Sequence, residues 1–152
     1  MDFSLTDEQK ALYQATRAFA EAELNERNVE RDHTGEFNLA GWRKAAEFGL
    51  HGMVIPSEYG GGGVDVLTAA LGMEGLGYGC HDAGLVLAIS AHVVICTIPI
   101  WQFGDDGQRR RYLPKLCAGA WIGAYGLTEP EAGSDAFSLR TTARREGDVY
   151  KL

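Results

Sequence analysis

The sequence predicts a mainly α protein: an N-terminal all-helical bundle over residues 1–119, then the first strands of an incomplete β domain over 120–152. Three observations carry that prediction. Capping residues at Thr6, Asn38 and Asp82 precede stretches built for helix. The run from Ala83 to Trp101 contains no acid, lysine or arginine, as a helix buried on all sides does. After Gly119 the apolar period shortens from helical spacing to the alternation of a strand.

Taken in order, Thr6-Asp7-Glu8-Gln9 forms a capping box, and Asp7 and Glu8 suit the positive end of the helix dipole. Leu12, Ala15, Phe19 and Ala22 make the inward stripe of this first helix. The charged run Glu23 to Asp32 continues or ends it, and Gly35 breaks it. Asn38 caps a second helix that turns Trp42, Ala45, Ala46 and Phe48 inward and stops at Gly49. Met53-Val54-Ile55 is an apolar link to the loop Pro56 to Asp65, whose four consecutive glycines, Gly60 to Gly63, preclude regular structure. A third helix from about Asp65 to Leu76 is expected to bury Val66, Ala69, Ala70, Met73 and Leu76. The apolar helix follows, and the shared core is expected to hold Phe19, Trp42, Met73, Leu87 and Ile95. Gln108 to Leu116 is helical, with Pro114 as a kink or restart. Its Arg109-Arg110-Arg111 run suits a solvated face better than a phosphate patch, because adjacent helical residues diverge. Trp121 to Leu127 alternates as a strand, Leu139 to Ala143 as another, and Glu146-Gly147-Asp148 turns into Val149 to Leu152.

Composition narrows the function. A net charge of −7 and a pI near 5.0 exclude an electrostatic nucleic-acid binder. Cys80, Cys96 and Cys117 are widely spaced and odd in number, which fits a reducing cytoplasm rather than a disulfide framework, and no zinc spacing is present. Met1 to Ser4 lacks the basic start and apolar run of a signal peptide. The Ala83–Trp101 run is long enough to span a bilayer, but His92 at its centre and Pro99 near its end favour a buried protein helix and no membrane.

The most informative stretch is Tyr125-Gly126-Leu127-Thr128-Glu129-Pro130-Glu131-Ala132-Gly133-Ser134-Asp135. It begins as a strand, turns at Pro130 and opens into a loop rich in hydroxyls and exposed N–H groups. Glycine permits close approach of a ligand, successive N–H groups can form an anion nest, and Thr128 and Ser134 both donate and accept. The segment suits a ligand that carries a heteroaromatic ring and a phosphate.

This stretch resembles the Thr-Glu-Pro-x-Ala-Gly-Ser-Asp signature of the acyl-CoA dehydrogenase family, with all seven fixed positions present. The resemblance extends along the chain: Phe3 to Gln9, the Pro56-Ser57-Glu58-Tyr59-Gly60-Gly61 loop, Glu74 with Leu76-Gly77, and Gly104 to Pro114 with Gln108, Arg109, Tyr112 and Leu113. Position 131 departs from it, with Glu where many members carry a small residue.

The resemblance implies a helical N-terminal domain, a middle β domain and a C-terminal helical domain, of which the last is absent from these 152 residues. It implies FAD as cofactor and α,β-dehydrogenation of an acyl thioester, as in fatty acid metabolism, the acyl group being carried on CoA or on a carrier protein. It also implies an electron-transfer acceptor and a homo-oligomer. Carried over by residue, the Tyr125 carbonyl, Leu127 and Thr128 meet the flavin ring. Gly133 and Ser134 lie near the pyrophosphate and the pantetheine arm, and His92, Cys96 and Thr97 line the acyl pocket, with core packing as the other role for these three. No residue is assigned as the catalytic base, and Glu129 and Asp135 are read as shaping the loop. The chain alone is therefore expected to be inactive. The alternative is a non-catalytic helical interaction module of the same fold, which would be marked by decay at Thr128 and Ser134; both are intact.

Overall fold

The structure, a computed structural model, describes residues 4–152. Phe3, where the family-like opening begins, lies outside them. Helices α1 (Asp7–Glu23), α2 (Asn28–Thr34), α3 (Leu39–Glu47) and α4 (Val66–Gly79) are followed by α5 (Ala83–Ala91), a π turn (His92–Thr97), α6 (Ile98–Phe103) and α7 (Asp106–Cys117). A two-stranded antiparallel hairpin, β1 (Arg144–Glu146) and β2 (Val149–Lys151), closes the chain, with Arg145 opposite Tyr150.

The start signals act as their chemistry requires. The Thr6 hydroxyl accepts from the Gln9 N–H at 3.2 Å, and the Gln9 side chain accepts from the Thr6 N–H at 3.0 Å. Asn38, Asp65, Asp82 and Asp105 cap α3, α4, α5 and α7 in the same way. Each such cap stabilises its helix by about 1 kcal/mol.

The charged run does not continue α1. The helix stops at Glu23, Leu24 turns into the core, and α2 begins after Arg27, whose φ of 56° is left-handed. Arg31 then reaches back, its Nη2 donating to Asn28 Oδ1 at 2.8 Å and standing 3.6 Å from Asp82 Oδ2 at the head of α5.

The close pairing of α1 with α4 turns on glycines. A Cβ on Gly75 would stand 2.6 Å from the Tyr13 carbonyl oxygen, and one on Gly79 would strike the Arg17 carbonyl. This contact rotates α4 so that Ala69, Gly72, Gly75, Leu76 and Gly79 face inward, leaving Val66 and Ala70 exposed against expectation. On α1 the buried positions are Thr16 and Ala20, with Leu12 and Phe19 half-buried, while Ala15 and Ala22 face out.

The core is formed by Leu24, Trp42, Leu50, Ile55, Leu76, Leu85, Ile89 and Leu113, all fully buried. Of the five expected anchors, Trp42 is wholly inside and Phe19 and Met73 pack against the core, but Leu87 is 70% and Ile95 40% exposed. The error has a clear cause: the Ala83–Phe103 helix is apolar around its whole circumference, so periodicity could not select a face. Its inward positions are Leu85, Ile89, His92, Val93 and Thr97. This helix is long and apolar enough to cross a membrane by length and composition. The glycine loop is consumed internally, with the N–H groups of Gly62, Gly63 and Val64 donating to the carbonyls of Gly52, Ile55 and Met53.

The strands expected at 121–127 and 139–143 do not form. The first stretch has no neighbouring strand among the described residues, and a strand without a ladder partner has nowhere to place its backbone groups. Among the described residues pairing is limited to the β1–β2 hairpin, turned by Gly147 at φ 64°, and a single bridge between Glu129 and Ala132.

Candidate functional site

The candidate segment is fastened to the helical layer at its start and faces solvent thereafter. Gly119 ends α7 in a left-handed conformation, and its carbonyl accepts from Trp42 Nε1 at 2.9 Å. The Trp121 N–H donates to the Lys115 carbonyl at 3.2 Å, and the Lys115 ammonium lies 4.4 Å from the Trp121 ring centroid. The Gly123 N–H donates to His92 Nδ1 at 2.8 Å, which puts the ring proton on Nε2, 3.1 Å from the Leu116 carbonyl that accepts it. Among the described residues no backbone–backbone hydrogen bond is made by residues 124–128, and the Ala124 backbone lies against the Cys96 thiol. There Tyr125 is 54% and Leu127 37% exposed, and Thr128 is exposed.

Past Thr128 the chain folds back on itself. Glu129 and Ala132 exchange backbone hydrogen bonds of 2.9 and 3.2 Å, with Ala132 buried beneath the turn. The Glu129 carboxylate accepts from the N–H groups of Arg140 and Thr141, each at 2.8 Å. Those two backbone bonds, Arg140 first, hold its pKa below the usual carboxylate range. An acceptor so engaged closes a loop and is unsuited to taking a proton from carbon. Arg140 also pairs with Glu131 at 2.8 Å, and the Ser138 hydroxyl donates to Asp135. Gly133 is exposed, as is Ser134, and Gly133 is not in the left-handed conformation.

The three helix residues expected at an acyl pocket fall differently. His92 and Thr97 are fully buried, and the Thr97 hydroxyl donates to the Val93 carbonyl at 2.9 Å. Only Cys96 retains surface, and burial raises its thiol pKa above the ordinary value. Burial likewise raises Cys80, and Cys117 to about 11, so none of the three is an activated thiolate. Among the described residues no cluster of three His, Cys, Asp or Glu side chains could hold a metal.

Sequence reasoning read Glu129 as shaping the loop, and the structure agrees, but its partners eleven and twelve residues on left no local signal. It missed the approach of Gly123 to His92, which packs in turn against Trp42. The signal for that was available: Gly123, a residue without a side chain in an apolar alternating run, marks a close approach.

These features define a class: an all-helical domain that passes, through an anchored joint, into a ligand-accessible segment ending in a closed loop. Residues 6–120 match the acyl-CoA dehydrogenase N-terminal domain. The chain is 41% identical, over its whole length and 40% of the relative's, to the short-chain-specific acyl-CoA dehydrogenase of Clostridium acetobutylicum. Its structure superposes on the prolyl acyl carrier protein oxidase AnaB with a TM-score of 0.89 at 43% identity, over 97% of this chain and 39% of that one. It superposes on PigA with FAD and proline with a TM-score of 0.91 at 33% identity, over 99% and 39%. The chain belongs to the acyl-CoA dehydrogenase family. It spans about 40% of the length of the curated relatives it matches.

Proposed function

We propose that this chain provides the helical domain and the flavin-facing segment of an FAD-dependent acyl-thioester dehydrogenase. The observation that carries the reading is the solvent-facing backbone from Tyr125 to Thr128, which makes no hydrogen bond among the described residues and is set between anchors at Gly119 and Gly123 and the Glu129 loop. Such a stretch offers N–H and carbonyl groups, a threonine hydroxyl and apolar side chains together, which is the donor set an isoalloxazine edge requires. The residues present therefore fit the group.

In this reading the Tyr125 carbonyl, the Leu127 backbone and the Thr128 hydroxyl hold the flavin ring. Gly133 and Ser134 lie toward its pyrophosphate and the pantetheine arm, and Cys96 faces the acyl chain. When bound, FAD accepts the hydride lost from the β carbon. The leaving α proton needs a carboxylate that these residues do not supply, since Glu129 is committed to the loop. The substrate is an acyl group on CoA or on a carrier protein, and the FAD-bound neighbour and the carrier-protein oxidase support both parts of that reading. An electron-transfer acceptor, a homo-oligomeric state, a cytoplasmic location and a domain boundary near residue 119 complete the proposal.

The test is FAD titration followed by quenching of flavin fluorescence. Thr128→Val removes one hydroxyl and should weaken FAD about tenfold, the equivalent of one hydrogen bond. Unchanged affinity would overturn the assignment of Thr128. The 152-residue chain assayed by itself, with acyl-CoAs and an artificial acceptor, should show no turnover.

A further inference from the structure

We infer that His92 is a positioning residue: its neutral imidazole latches the start of the flavin-facing segment to the helical layer and so sets where Tyr125 to Thr128 lie. The inference rests on the flavin reading above and adds a role to a residue that the family resemblance assigned to the acyl pocket.

Four observations converge on this ring. It is fully buried, so it has no surface with which to touch a substrate. Both of its nitrogens are engaged in opposite senses, Nε2 donating to the Leu116 carbonyl at 3.1 Å and Nδ1 accepting from the Gly123 N–H at 2.8 Å. The ring therefore bridges the end of α7 to the segment that leaves it. Its plane is fixed by the Trp42 indole, edge-on at 5.0 Å and 88°, while that indole bonds the Gly119 carbonyl. Finally, Gly123 is built for this approach: a Cβ there would collide with Cys96 Sγ and stand 3.0 Å from His92 Nδ1.

The backbone beneath the ring is also irregular in a useful way. His92 opens the π turn, in which the Ile98 N–H bonds the Val93 carbonyl five residues back. Widened turns of this kind concentrate at functional sites because they re-aim side chains. Here the turn carries His92 and Cys96, the two residues that meet Gly123. Gly123 lies two residues before Tyr125 and five before Thr128, and beyond Ala124, whose backbone meets the Cys96 thiol on the same π turn, the run to Thr128 makes no backbone hydrogen bond among the described residues, so a displacement at the latch passes along it.

Ordinary core packing and positioning make different predictions for two conservative replacements. In His92→Asn the amide oxygen takes the place of Nδ1 and can still accept from Gly123. In His92→Gln the amide nitrogen takes the place of Nε2, keeps Leu116 and abandons Gly123. Both variants and the unaltered protein are compared by thermal melting, by amide hydrogen exchange at Gly123, and by FAD titration. Positioning predicts that the two variants melt alike, that Gly123 stays protected only in the Asn variant, and that FAD weakens about tenfold in the Gln variant alone, as one lost hydrogen bond would require. Equal FAD affinity in the two variants, or equal Gly123 protection, overturns the inference. If the unaltered protein takes up no FAD, the flavin reading fails, and Gly123 protection alone decides whether His92 latches the segment.

Discussion

The helical layer and the segment after Gly119 differ in how they satisfy their backbones. Helices α1 to α7 bond their own N–H and carbonyl groups, and α1, α3, α4, α5 and α7 complete their starts with capping side chains, so they need neighbours mainly for apolar burial. From residue 121 to 128 the chain forms neither helix nor strand, and its polar groups must find partners elsewhere. Buried anchors hold that stretch only where it leaves the layer. The difference teaches that backbone bonding is unevenly shared in this molecule: one part is closed on itself, the other is left with bonding capacity to spend on something else.

The largest expected break in that comparison is Trp42→Ala. The indole is fully buried and bonds Gly119, so its loss should cost about 3–5 kcal/mol and free the joint as the layer melts. Thermal denaturation followed by far-ultraviolet circular dichroism checks it; a shift of under 1 kcal/mol would show that Trp42 does not organise the core.

Acid is next. Burial, and then the neighbouring His92, push His51 down from 6.5 to about 3, and burial also lowers His92. Both pKa values are depressed in the folded state, so the protons bind preferentially to the unfolded chain. Stability should be full above about pH 6.5 and fall as the pH drops, by about 1.4 kcal/mol per pH unit for His51 down to about pH 3, with His92 adding in the same direction. Neither nitrogen of His51 has a hydrogen-bond partner among the described residues, whereas both of His92 do. His51→Phe should therefore flatten the acid slope and raise the neutral melting temperature. Melts from pH 4 to 8 decide the matter, and an unchanged slope would contradict the burial argument.

Gly123→Ala should cost about 1–3 kcal/mol through overpacking against Cys96 and His92, with most of the effect confined to the joint. Hydrogen exchange at residues 119–123 separates this from a global loss. The smallest effect belongs to the hairpin. Glu146 and Lys151 lie 3.9 Å apart and both are well exposed, so Lys151→Ala should move the melting temperature by less than about 0.5 kcal/mol equivalent.

The legible part of the fold was the part governed by local chemistry. Thr6, Asn38 and Asp82 declared their helices because a cap is a contact within three residues. The orientation of α4 was not legible from apolar spacing, since its buried face is largely glycine and was chosen by the α1 backbone. The Tyr125–Asp135 stretch announced the family through residue identities, yet its alternation misled about conformation, because a strand exists only with a partner. His92 was noticed as a candidate, with core packing as its other role, but its partners were not legible: Leu116 and Gly123 lie 24 and 31 residues away.

The π turn has a consequence for the register of the helix that contains it. Leu85, Ile89, Val93 and Thr97 are inward at intervals of four, and a straight α-helix would carry such a series off its face by about 40° per step. The wider turn takes up that accumulating error. Pro99 suits it, having no N–H to give to the preceding turn. Val94, 55% exposed, is then a surplus residue in the arithmetic of the winding. Deleting it would return the stretch to ordinary α spacing at the cost of turning the ring of His92 relative to everything beyond it. Helix α6 and the chain that follows thus keep time with the first half of the helix by carrying one extra beat.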